Sequence, residues 1–63
     1  MRVNGKTIDQ EAIPLLEYLR REGYGVDHVV VELGREIVTR ERFGEVTLEP
    51  EDDVNILQFM GGG

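Results

Sequence analysis

Sixty-three residues make one small domain, and a chain of that length buries only about 60% of the surface its unfolded form exposes, so its core has little to spare. The absence of cysteine and the presence of one histidine, His28, exclude a disulfide framework, a thiolate zinc site, a cysteine nucleophile and a paired-histidine site. Thirteen acids against seven bases give a net charge of −6, the wrong sign for a surface that must meet nucleic-acid phosphates.

The chain opens with a short apolar stretch, Met1–Val3, then Asn4-Gly5, then Lys6–Ile8. Asn-Gly between two short runs predicts a hairpin, because a type I′ turn needs φ > 0 at both central residues. Ala12, Leu15, Leu16 and Leu19 then recur at helical spacing, with Ile13 beside them and Glu17, Arg20, Arg21 and Glu22 on the other side. Pro14 is tolerated in a first helical turn, which places the predicted helix start at Glu11 or Ala12. Gly23 reads as the residue that ends the helix, and Arg20 and Arg21 suit its negative end. Tyr24-Gly25 continues as loop.

Val29-Val30-Val31 and Leu33 predict a strand, with Val29, Val31 and Leu33 on one face and Val30 and Glu32 on the other. Gly34-Arg35 turns the chain into Glu36-Ile37-Val38. Thr39 is placed to cap a single helical turn over Arg40–Phe43, stopped by Gly44. Val46 and Leu48 alternate with polar residues, as a short edge strand does. Pro50 and Glu51-Asp52-Asp53 predict a turn, and Val54, Ile56, Leu57 and Phe59 the last strand. One helix among several strands is an α+β arrangement, the helix burying its leucine stripe on one sheet face.

No catalytic constellation emerges. No phosphate-cradling glycine motif is present. The acids Glu49, Glu51, Asp52 and Asp53 lack the glycine and distal glutamate of a calcium loop, so they read as a solvated turn, and no metal site is expected. Residues 26–63 hold nine acids against three bases, which directs any electrostatic partner, necessarily basic, to that half. No apolar run approaches the ~20 residues of a membrane span and no signal-peptide pattern opens the chain. The expectation is a protein that starts at Met1, resides in the cytoplasm and has no membrane partner.

The end of the sequence differs from the rest. The last apolar strand runs through Met60 into Gly61-Gly62-Gly63. A glycine segment is narrow and flexible enough to thread a slot that excludes side chains. It also presents one reactive group, the α-carboxylate of Gly63, which becomes an acyl donor once activated. A frayed end reads equally well from the glycines alone.

In order and spacing the chain resembles the ThiS family of sulfur carrier proteins, within the ubiquitin-like β-grasp group. Met1–Lys6 is similar to the family's first hairpin and Leu15–Leu19 to its helix. Val31–Arg40 resembles its strand, turn and Ile-Val-Pro-Arg segment, and Asp52–Leu57 with the glycine end resembles its closing strand and tail. The family commonly has Asn-Gly where this chain has Gly34-Arg35, and proline where it has Thr39. The resemblance implies a β-grasp domain over residues 1–60, one helix on a mixed sheet of four to five strands, and a glycine tail over 61–63. It implies a carrier with no catalytic residue of its own and no bound cofactor. Gly63 would be adenylated by an E1-like (ThiF-like) adenylyltransferase that uses ATP and magnesium, Gly61 and Gly62 passing into the partner's active site. A sulfur-donating protein would then supply the thiocarboxylate's sulfur, which passes to a ThiG-like thiazole synthase for thiamine. Phe59 and Met60 are candidate partner contacts, with a place in the core as their other reading. A molybdopterin synthase small-subunit-like carrier, a ubiquitin-like protein modifier and a plain binding module are the alternatives.

Overall fold

A computed structural model describes residues 1–59. The opening hairpin pairs β1 (Arg2–Val3) with β2 (Lys6–Thr7) in antiparallel register, Val3 opposite Lys6. Asn4 at φ 53 and Gly5 at φ 80 supply the two positive values a type I′ turn demands.

The helix α1 spans Leu15–Arg21, seven residues, and starts later than the apolar spacing predicts. The strand pairing of Ile13 with Leu48 is one reason, and Pro14 is the other. It disfavours helical geometry at the residue before it, and Ile13–Pro14 instead form the extended β3. Ala12 accordingly lies outside the helix and is exposed. Pro14 has ψ 138 and caps the helix without a side-chain hydrogen bond; the Leu15 N–H donates instead to the Val46 carbonyl at 2.9 Å. The C-terminal end is as expected. Gly23 (φ 82) donates to the Arg20 carbonyl and Tyr24 to the Leu19 carbonyl, the paired bonds of a Schellman motif.

After the loop at Tyr24-Gly25, a 3₁₀ turn at Val26–His28 leads into β4 (Val29–Leu33). Gly34-Arg35 connects it to β5 (Glu36–Val38) with Leu33 opposite Glu36. Gly34 alone has positive φ, 65°, so the departure from Asn-Gly still closes a two-residue hairpin. The segment after Thr39 is a six-residue 3₁₀ helix, Arg40–Glu45, which runs through Gly44, and the Thr39 side chain makes no cap. β6 is Thr47–Leu48. The following turn is closed by Glu49 N–H on Asp52 Oδ2 (2.8 Å) and Asp52 N–H on the Glu49 carbonyl (3.0 Å). Asp53, expected within it, already belongs to β7 (Asp53–Gln58).

The main sheet has five strands in the order β2-β1-β7-β4-β5, and β3 pairs with β6 in a separate two-stranded piece. The sheet is mixed because the first and last strands, β1 and β7, run parallel at its centre. Leu15, Tyr18 and Leu19 of α1 bury against Val3, Val29, Val31, Val38, Val54 and Ile56 of the sheet, closed by Ile13, Phe43 and Leu48. Burial of each large side chain contributes about 1.5–3 kcal/mol. One helix grasped by a mixed sheet is the β-grasp arrangement the sequence predicts.

Candidate functional site

Strand alternation divides β7 between two faces. Val54 and Ile56 point into the core, while Leu57 is exposed and shares the opposite face with Asp53 and Asn55. On that open face Leu57 lies directly across from Val30, and Asn55 from Glu32, which in turn faces Ile37 of β5. The result is an uncovered apolar group: Ile37, Leu57 and Phe59 are 61%, 68% and 48% exposed, with half-buried Val30 between them. Asn55 Nδ2 donates to Glu32 Oε1 at 3.1 Å, which ties the polar pair of this face together across β4 and β7. Large exposed apolar side chains gathered on one face mark a contact surface.

Phe59 lies at the end of β7, where described structure stops. Its N–H donates to the His28 carbonyl at 2.9 Å, and its ring meets the His28 imidazole edge-on, centroids 6.0 Å apart. Phe59 is therefore a half-exposed lid at the strand's end, outside the core. Met60 and Gly61, Gly62 and Gly63 fall outside the described residues.

The acidic turn Glu49–Asp52 sits just before β7, and Phe59 just past its far end. Six strand residues separate them, about 20 Å at ~3.3 Å per residue. Asp52 is engaged in closing its own turn, so that carboxylate has a local structural duty.

Elsewhere, an open groove runs beside α1 between Gln10–Pro14 and the side chains of Leu16, Glu17, Arg20 and Arg21. Of its two arginines, Arg21 is spent on neighbours: Nη2 donates to Gln10 Oε1 at 2.6 Å, Nε to Glu22 Oε2 at 3.1 Å, and the guanidinium stacks over the Tyr18 ring. Burial, reinforced by the nearby Glu22 carboxylate, raises the Tyr18 phenol above its ordinary value, with Arg21 opposing. Among the described residues no helix is long and apolar enough to cross a membrane.

Ile37 and Leu57 are the site residues the sequence reading missed. Half of their signal was present: Leu57 follows Ile56, and adjacent strand residues cannot both face the core, but which of the two faces out is set by the side of the sheet that the helix covers. Ile37 stands between Glu36 and Val38 in the same way.

The chain superposes on the crystal structure of a thiamine biosynthesis protein, ThiS, from Geobacter metallireducens with a TM-score of 0.77 and 39% identity, covering 98% of this chain and 96% of that one. The solution structure of a thiamine biosynthesis protein from the same organism gives a TM-score of 0.76 at 39% identity, with 98% and 85% covered. Among curated proteins, a thiazole synthase of Magnetococcus marinus is 33% identical over 64 aligned positions, 100% of this chain and 20% of that protein. The sulfur carrier protein ThiS of Bacillus subtilis is 46% identical over 35 residues, 56% of this chain and 53% of that protein. The chain thus spans a fifth of the first curated relative and about half of the second. No family model matches it.

Proposed function

The chain belongs to the ThiS family, and from that membership we propose that it is a sulfur carrier for the thiazole of thiamine. The observation that carries this reading is the near end-to-end likeness to the Geobacter ThiS structure, at 39% identity over 98% of the chain.

In this reading the protein is a macromolecular substrate. The Gly63 carboxylate oxygen attacks the α-phosphorus of ATP in an E1-like adenylyltransferase, with magnesium neutralising the phosphates and pyrophosphate leaving. Sulfur at the oxidation level of sulfide, brought by a sulfur-donating protein, attacks the acyl carbon and expels AMP. The product is a thiocarboxylate on Gly63, whose sulfur is then passed to a thiazole synthase. The thiazole synthase among the relatives contains a segment like this whole chain, which supports a synthase as the receiving partner.

The domain supplies a docking face and a leash. Ile37, Leu57 and Phe59 are the exposed apolar group, with half-buried Val30 between them, and burying such a group against a partner contributes the larger share of binding energy. Gly61 and Gly62 pass the slot of the partner's active site, where a side chain would collide.

Intact-mass measurement tests this directly. After incubation with ATP, magnesium, a sulfur source and an E1-like adenylyltransferase, the chain should gain the mass of one sulfur-for-oxygen exchange. Covalent attachment to other proteins would indicate a modifier instead, and no change would leave a binding module. Gly62→Val should keep the native circular dichroism and lose the modification; a normally modified Gly62→Val variant refutes the slot.

A further inference from the structure

β7 is held from both sides, and the two sides are built differently. Toward β4, backbone pairing runs the full strand, Val54 opposite Leu33 through Gln58 opposite Val29, and the Phe59 N–H extends it to the His28 carbonyl. Toward β1 the ladder covers only Arg2 with Asp53 and Val3 with Val54. Its bonds include Arg2 N–H on the Asp52 carbonyl (2.9 Å) and Asn4 N–H on the Val54 carbonyl (2.8 Å).

In a parallel ladder the next link would run from the Ile56 N–H to the backbone carbonyl of residue 4. The main chain has already turned into the hairpin there, with Asn4 at φ 53. The Ile56 N–H donates to the Asn4 side-chain Oδ1 instead, at 2.7 Å. The amide oxygen stands in for the carbonyl that the turn has rotated away. Position 4 therefore has two requirements, a left-handed backbone and a short side chain ending in an acceptor. Asparagine and aspartate meet both; glycine meets only the first.

β7 carries the docking side chain Leu57 and runs directly into Phe59 and the sequence that follows it. Beyond Ile56 no described strand lies beside β7 on the β1 side. Without the link at Ile56, the last half of β7 would be held by β4 alone, and the docking face and the tail's point of departure could shift relative to the body. A displacement of about 1 Å at a reacting centre costs up to ~100-fold in rate. We propose that Asn4 is a positioning residue for the carrier reaction, its side-chain oxygen pinning β7 at Ile56 so that the end of the strand, from which the reactive terminus is delivered, keeps a fixed place on the domain. This inference rests on the sulfur-carrier reading.

The test compares the native chain with Asn4→Gly and Asn4→Asp, at a temperature where circular dichroism shows all three folded. Two quantities are read: hydrogen exchange of the Ile56 amide, and kcat and KM for thiocarboxylate formation by the adenylyltransferase with ATP and sulfide. Asn4→Gly should exchange the Ile56 amide about tenfold faster, the cost of one lost hydrogen bond. Its kcat should fall about tenfold or more, within the range a small displacement produces, while KM for the carrier stays within about twofold. Asn4→Asp should restore both. A Gly variant with native kcat despite a fast-exchanging Ile56 amide overturns the proposal. So does a loss that Asn4→Asp does not repair, or a rise in KM at unchanged kcat, which would make Asn4 a partner contact. If the native chain is not modified at all, the carrier reading itself falls and takes this one with it. That result is distinct from a modified native chain with an indifferent Gly variant.

Discussion

The two faces of β7 make opposite use of the same kind of residue. Val54 and Ile56 are 0% and 3% exposed, whereas Leu57, the very next residue, is 68% exposed. Helix α1 covers one face with Leu15, Tyr18 and Leu19; nothing among the described residues covers the other. Apolar side chains on the covered face hold the fold together, and those on the open face are available to another protein. A small chain can carry both only because strand alternation separates them by one residue.

The largest test of that contrast is Ile56→Ala. Truncating a core isoleucine costs about 2–5 kcal/mol, close to the whole stability of a domain this small, which sits near ~5 kcal/mol. Urea denaturation should show a chain that is partly unfolded in water. A midpoint close to that of the native chain would mean Ile56 is not a core residue. Leu57→Ala is the counterpart. It should move the urea midpoint by no more than about 0.5 kcal/mol of stability, while weakening affinity for the proposed adenylyltransferase partner about tenfold, as truncation of an interface anchor does. Calorimetric titration reads the affinity, and unchanged binding would remove Leu57 from the docking face.

The smallest effect sharpens the covered side. Tyr18 is raised by burial above its ordinary value near 10. The folded protein therefore keeps its phenol proton at a pH where the unfolded chain has lost it. Stability is unaffected below about pH 10 and falls as pH rises from there through the folded value. Tyr18→Phe should flatten that decline in a pH series of urea midpoints. An unchanged slope would mean the ring is not shielded from water by the core.

Much of this was legible in local signals. Asn4-Gly5 announced a type I′ hairpin because few residues accept two positive φ values. Gly23 announced the helix end for a similar reason, and the valine run announced β4. The helix start was not legible. Ala12 fits the apolar spacing, and Pro14 alone is compatible with either a first helical turn or an extended approach. The extended form prevails because Ile13 finds Leu48, 35 positions away, as a strand partner. Thr39 has the right chemistry for a helix cap, yet a tight 3₁₀ segment follows it and its side chain is not used.

The candidate site divides along the same line. Phe59 could be picked out by type and order. Ile37 and Leu57 could not be assigned to a surface until β5, β4 and β7 were placed side by side, because exposure depends on which face a helix covers. The link from Asn4 to Ile56 was equally hidden: asparagine in a turn is expected for its backbone, and nothing local says that its side chain completes a ladder 52 residues away.

By itself, then, the sequence determined the composition limits, the turns, the glycine tail and the presence of one helix among strands, all of which rest on backbone preferences within a few residues. Only the tertiary structure decided the strand order β2-β1-β7-β4-β5, the shortened helix and the pairing of β3 with β6. It also decided which apolar residues stay in water. Each of these depends on contacts between segments far apart in the chain, and those contacts exist only once the core has closed.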